Sequence, residues 1–171
     1  HAATIVDGSS VGSTISNKGS VTVESTIVPA SGMKALSFNG TNEYVSVPFD
    51  STMNPSGNFS VSAWVKLSNK NAYRSAVTSR SETVNGNQTG GYMLYISNAN
   101  KWQFWNGFGN TGGLWKQANS STRIIENTWQ MQTVTYDHSN THMRLYVDGE
   151  LLKQNSSASL VANTDKPLSL I

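Results

Sequence analysis

The chain has 171 residues, enough for one domain that buries most of its apolar surface without covalent staples. It contains no cysteine, which excludes a disulfide framework and a thiolate metal site. Its formal net charge is only +2, its Lys and Arg are spread along the chain with no basic stripe for nucleic acid, and no apolar run is long enough to span a membrane.

In chain order, residues His1 to Pro29 are rich in Ser, Gly, Thr and Val, and Ala3–Val6 and Ser20–Val28 are the expected strands there. Lys34–Phe38 and Glu43–Val47 flank Asn39-Gly40-Thr41-Asn42, whose turn chemistry predicts a hairpin or a tight corner. Pro48 ends the second of these, and 49–58 is a turn-rich loop. Phe59–Leu67 alternates cleanly: Phe59, Val61, Ala63, Val65 and Leu67 face one way, and Ser60, Ser62, Trp64 and Lys66 the other. Trp64 interrupts the polar side, either as a ring covered by a neighbour or as one lining a ligand face. Arg74–Ser79 is a short strand, Arg80–Gly91 a polar connection, and Tyr92–Ile96 and Lys101–Trp105 are strands joined by a polar turn. Asn106–Gly113 reads as a loop and Leu114–Ala118 as an extension of the ribbon. No stretch has the pattern of a long amphipathic helix, and many short strands at regular spacing predict an antiparallel sandwich.

The stretch Trp129–Lys153 holds three strands in a row. Trp129–Tyr136 stops at Asp137-His138-Ser139-Asn140, Met143–Val147 alternates, and Asp148-Gly149 marks a type I′ hairpin, which needs φ > 0 at both central residues. A Trp opening a strand, then Val134-Thr135-Tyr136-Asp137, a polar turn and Arg144-Leu145-Tyr146-Val147-Asp148-Gly149 resembles the centre of a laminin G-like, concanavalin A-like jelly-roll module. Lys34–Gly40 with Glu43-Tyr44-Val45, and Phe59–Lys66, are similar to earlier core strands of that family. The resemblance implies an all-β, antiparallel jelly-roll β-sandwich, a single domain over 1–171 with a family-like core over 34–171 and an N-terminal strand region over 1–33. The family's pattern continues past a segment such as Pro167–Ile171 with a glycine and a closing strand pair, so the sandwich is expected to lack its last C-terminal strands or to take them from a second chain. A fold of this kind hosts lectins, adhesion modules, enzyme appendages and glycosidases alike, so function must be read from the site.

Retaining glycosidases need two carboxylates about 5–5.5 Å apart. None of Glu24, Glu43, Glu82, Glu126 and Glu150 has an acidic residue at i+2, and the Asp148/Glu150 pair flanks a hairpin tip, so no catalytic residue is assigned. His1, His138 and His142 make a poor zinc set, lacking a fourth ligand. The aromatic cluster is more informative. Tyr92, Tyr95, Trp102, Phe104, Trp105, Phe108 and Trp115 fall among Asn98, Asn100, Gln103, Asn106, Asn110 and Gln117. Sugars present apolar C–H faces and fans of hydroxyls, which aromatic platforms beside amides can meet. On Lys101–Trp105 one face carries Trp102 and Phe104 and the other Gln103 and Trp105, one set for the core and one for a platform. The candidate ligand-binding residues are Trp105, Trp115, Asn106, Asn110, Gln103, Trp64 and Tyr92.

The resemblance further implies a calcium site on the rim. Ca²⁺ takes about six to eight oxygen ligands, and Asn39, Asn42, Glu43 and Asp50 offer oxygens near one corner, as Asp7 and Asp165 do elsewhere. Asn39 and Glu43 stand where the family commonly has Asp, and ordinary turn residues are the competing reading. Five Asn-x-Ser/Thr sequons, at Asn39, Asn58, Asn87, Asn119 and Asn155, matter only for a eukaryotic source. Low charge with many small polar side chains suits an extracellular, cell-surface or virion-surface protein, although the segment after His1 carries no signal-peptide pattern. The expected function is non-catalytic recognition of a glycan or glycoprotein, with assembly through an open sheet edge as the alternative.

Overall fold

The computed structural model describes residue 5 and residues 12–68, 72–82, 89–109 and 115–171. These residues form thirteen strands and no helix, an all-β antiparallel jelly-roll sandwich. The larger sheet has seven strands in the order β1 (Ser16–Lys18), β4 (Tyr44–Val47), β13 (Leu168–Leu170), β6 (Arg74–Glu82), β7 (Thr89–Ile96), β8 (Lys101–Gly107) and β9 (Trp115–Arg123). The smaller has four, in the order β12 (Glu150–Asn155), β11 (His142–Val147), β10 (Gln130–Asp137) and β5 (Phe59–Val65). A ribbon of β2 (Thr22–Glu24) and β3 (Ala35–Ser37) stands apart.

The period-2 pattern explains how the two large sheets meet. On β8, Trp102, Phe104 and Asn106 are buried, while Lys101, Gln103 and Trp105 on the opposite face stay partly open. On β10, Gln130, Gln132, Val134 and Tyr136 point inward. Inward rings close the gap between the layers: Phe59 of the smaller sheet lies 5.1 Å from Tyr92 and 6.4 Å from Phe104 of the larger one. Gln132 donates its amide across the core to the Gln103 carbonyl at 3.0 Å. Residues of both sheets thus build one apolar core, in which Leu94, Phe104, Val134, Met143 and Leu145 are fully covered.

The Asp148-Gly149 hairpin has the expected turn, with φ of 53° and 85°. Asp148 also accepts from the Met131 N–H at 2.7 Å, which ties the tip to the start of β10. Elsewhere long-range pairing overrides the local pattern. Asn39–Asn42 is a corner and not a hairpin, because β3 pairs with β2 whereas β4 pairs with β1 and β13. Of Ser20–Val28 only Thr22–Glu24 is strand, and β1 forms where the sequence predicts none. Strand pairing extends β6 to Glu82 and starts β7 at Thr89, which shortens the expected Arg80–Gly91 connection, and β8 takes in Asn106 and Gly107, the first two residues of the expected Asn106–Gly113 loop. Of the strand expected over Ala3–Val6, all but Ile5 lies outside the described residues, as do Asp7 and Asn110.

The final segment lies inside the larger sheet. β13 pairs with β4 on one side and β6 on the other, so it fills the interior of the seven-stranded sheet, whose edges are β1 and β9. Asn163 guides the chain into this slot. Its buried amide group donates to Asn54, Ser79 and the Lys166 carbonyl, while its oxygen accepts the N–H groups of Asp165 and Lys166 at 3.2 and 2.9 Å.

Candidate functional site

The outer face of the seven-stranded sheet carries a row of aromatic rings, one for each of four neighbouring segments. Tyr73, just before β6, stacks on Tyr95 of β7 with ring centres 5.7 Å apart and planes 14° apart. Tyr95 lies 4.9 Å from Trp105 of β8, and Trp105 lies 6.3 Å from Trp115 of β9. Adjacent strands run about 4.8 Å apart, so one outward ring per strand produces rings at this spacing. The row follows from the register: Tyr95 faces Gln103, Met93 faces Trp105, and Trp105 faces Gln117.

Amides border the rings on the same face. Gln103 sits opposite Asn119, and the Asn119 amide donates to the Gln117 side chain at 2.8 Å. At the row's end, the Trp115 indole N–H donates to Glu82 at 3.3 Å, while Arg80 pairs with the same Glu82 oxygen at 2.6 Å. The Arg80 guanidinium also lies 5.9 Å from the Trp115 ring centre, within range of a cation–π contact. Burial raises the Tyr95 pKa above its usual range and neighbouring Tyr73 adds to this, with Arg80 opposing. The Tyr95 phenol is therefore a neutral hydrogen-bond donor at physiological pH.

Beside the rings is a groove of about 510 Å³ whose lining includes Tyr73, Arg74, Arg80, Met93, Tyr95 and Lys166. Met93, opposite Trp105, is almost fully covered and forms part of the floor. The face as a whole offers flat apolar surfaces, amide donors and acceptors, and cationic groups. Among the described residues, the carboxylate at the row's end, Glu82, is held by Arg80 and Trp115. Among the described residues no group of three or more His, Asp or Glu is arranged to hold a metal ion.

The residues predicted to touch a ligand separate into distinct places. Trp105, Trp115 and Gln103 share the outer face just described. Tyr92 and Asn106 do not. Tyr92 is 3% exposed, packs on Phe59 and donates its hydroxyl to the Met53 carbonyl at 2.9 Å, and Asn106 is 0% exposed. Both occupy inward positions of their strands, so the expectation that they contact ligand is corrected: they are core. Trp64 is 46% exposed but lies on the other sheet, opposite Met131 on β10, remote from the aromatic row.

The four expected calcium ligands make two separate turns. Glu43 accepts from the Ser20 N–H at 3.2 Å and the Asn39 N–H at 2.7 Å, one through each oxygen. The Asn39 oxygen accepts from the N–H groups of Thr41 and Asn42, and its amide donates to the Asn42 oxygen. Asp50 accepts from the hydroxyl and N–H of Thr52, bonds that hold its carboxyl below the usual range. These oxygens already face N–H and O–H donors and do not converge on a cation, so the residues do not fit calcium.

Sequence reasoning missed Tyr73, Arg80, Asn119 and Lys166, and did not single out Tyr95 or Gln117 from the cluster that contains them. Period 2 could have supplied Tyr95, two residues from Met93 on the same face. Nothing local points to Tyr73 or Lys166, which reach the site only through the strand order.

A family model described as the concanavalin A-like lectin/glucanases superfamily matches residues 39–171. Comparison with curated protein sequences finds no match. Among solved structures, the binding domain of Paraclostridial Mosquitocidal Protein 1 is similar, with a TM-score of 0.75 at 16% identity, covering 98% of this chain and 41% of that one. This chain therefore spans about two fifths of that structure. Domain 4 of AbnA, an extracellular arabinanase from Geobacillus stearothermophilus solved with arabinotriose, gives a TM-score of 0.66 at 15% identity, covering 93% and 72%. The CBM40 of the Ruminococcus gnavus IT-sialidase, bound to α2,3 sialyllactose, gives 0.51 at 22% identity, covering 67% and 62%. At these identities the likenesses describe the fold.

Proposed function

The chain belongs to the concanavalin A-like lectin/glucanases superfamily, and from that premise we propose that it is a non-catalytic carbohydrate-recognition module of a larger extracellular protein. One observation carries the reading: the outward row Tyr73, Tyr95, Trp105 and Trp115, bordered by Gln103, Gln117 and Asn119. The rings take the C–H faces of successive sugar units, and the amides meet their hydroxyls. The strands hold these groups at fixed spacing, so little side-chain freedom is lost on binding.

Similar folds include domains whose structures contain arabinotriose or sialyllactose, which supports a glycan as ligand without identifying it. The non-catalytic assignment rests on the carboxylates. Glu82, at the row's end, pairs with Arg80 and accepts from Trp115, and Asp148 is occupied in anchoring the β10–β11–β12 meander. Assembly with a second chain is the weaker reading: β13 pairs on both sides, so a partner would have to join at an edge strand such as β1 or β9.

A glycan array tests the proposal. Wild-type protein is expected to bind a coherent set of glycans and Trp105→Ala to lose them while remaining folded. Binding unaffected by Trp105→Ala would contradict the reading.

A further inference from the structure

The groove beside the rings has a charge pattern that neutral-sugar recognition does not require. Arg74, Arg80 and Lys166 line it, and no Asp or Glu is among its described lining residues. The acids that pair with two of these cations lie outside the lining: Glu82 holds Arg80 at 2.6 Å and Asp165 holds Lys166 at 2.7 Å. Both pairs are open to solvent, with the Arg80 and Lys166 side chains 51% and 49% exposed. Exposed pairs of this kind are weak, so their cations are readily shared with an incoming anion. A guanidinium has five N–H donors and an ammonium three, more than one carboxylate partner can use.

The elements fix this arrangement. Arg80 points outward from β6, while Asn163 holds the turn carrying Lys166 through the Lys166 N–H and carbonyl. The Ser81 hydroxyl, donating to Asp165 at 3.3 Å, joins that turn to β6. The cations therefore border the part of the row occupied by Tyr95, which lines the same groove.

Resting on the carbohydrate reading above, we propose that the groove takes an acidic sugar unit, which packs beside Tyr95 and whose carboxylate or sulfate is held by Arg80 and Lys166. Neutral units of the same glycan then continue along Trp105 and Trp115. Charge-assisted hydrogen bonds to an anion are about twice as strong as neutral ones. The anionic contact therefore sets specificity, and the indoles supply affinity that any sugar can use.

The test is an array carrying uronate-bearing, sialylated and sulfated glycans beside neutral glycans of matched backbone. It is probed with wild type, Arg80→Gln/Lys166→Gln, Trp105→Ala, and a control, Lys34→Gln/Lys153→Gln, which removes the same charge from residues outside the groove lining. Acidic glycans are expected to bind at least about tenfold better than their neutral counterparts. The groove double variant loses that preference, the control keeps it, and added salt erodes it. The class of spots retained distinguishes carboxylate from sulfate. Equal binding of acidic and neutral glycans, or equal losses in the two double variants, overturns the inference. If neutral glycans bind and Trp105→Ala abolishes that binding, the recognition reading survives alone; if the wild type binds no glycan, both fail.

Discussion

Trp115 and Trp105 hold their rings 6.3 Å apart at 41°, although Trp115 pairs in register not with Trp105 but with Gly107. The two indoles are diagonal neighbours on one face of β8 and β9, and the residue opposite Trp115 has no side chain to separate them. A Cβ at Gly107 would meet the backbone of Gly90 at 2.5 Å, so the site excludes a side chain there for a second reason. A pair of this kind contributes about 0.5–1.5 kcal/mol beyond the area it covers.

Trp115→Ala and Trp105→Ala are therefore expected to weaken glycan binding by roughly tenfold or more each, through the lost platform. Because both rings pack on the outside of the sandwich, the melting temperature should fall by only a few degrees, as for a change of about 1 kcal/mol in a domain of this size. Binding isotherms and differential scanning calorimetry on the same preparations separate the two effects.

Tyr92 makes the opposite case. Burial pushes its phenol up to about 12, from an ordinary value of 10.0. The folded state thus favours the neutral phenol, and the associated stability is whole below pH 10 and lost as the pH rises towards 12. The loss should reach about 2–3 kcal/mol. Melting curves across that range should show a base-induced fall that is smaller in Tyr92→Phe. That variant also loses the bond to the Met53 carbonyl, costing about 1 kcal/mol at neutral pH, with glycan binding unchanged.

Two glycines with positive φ separate conformational cost from collision. At Gly149, φ is 85° and an added Cβ meets nothing within 4 Å, so Gly149→Ala should cost only about 1–2 kcal/mol for the left-handed backbone. At Gly91, φ is 89° and the Cβ would lie 1.7 Å from the Ser79 carbonyl oxygen. Gly91→Ala must therefore push β6 and β7 apart and should destabilise the protein by well over 3 kcal/mol, or prevent folding, as chemical denaturation would show.

Chelation addresses the corner built on Asn39, Asn42 and Glu43. Its oxygens already accept hydrogen bonds from the turn, so EDTA is expected to leave both glycan binding and the melting temperature unchanged. A calcium-dependent rise in either would reassign those oxygens to an ion.

Local sequence carries part of this structure well. Asp148-Gly149 announces its hairpin because only a left-handed pair closes it, and the alternation of Phe59–Val65 and Lys101–Trp105 marks two half-buried strands. Period 2 divides each strand into two faces but does not say which is inside, so Tyr92 and Trp105 look equivalent until β7 and β8 are placed in a sandwich. The seating of Leu168–Leu170 between β4 and β6 joins segments more than a hundred residues apart at their extremes, and no neighbouring residue signals it. The positions of Tyr73, Arg80 and Lys166 around Tyr95 follow from the same strand order, which is why the groove could not be read from the chain.

The most direct test compares two exposed indoles on opposite sheets. Binding of a glycan selected on the array is measured by isothermal titration calorimetry for wild type, Trp105→Ala and Trp64→Ala. Recognition by the outer face of the seven-stranded sheet predicts that Trp105→Ala loses at least about tenfold in affinity and that Trp64→Ala binds as wild type does. Loss of binding in Trp64→Ala with full affinity in Trp105→Ala would place the ligand on the four-stranded sheet and contradict the account.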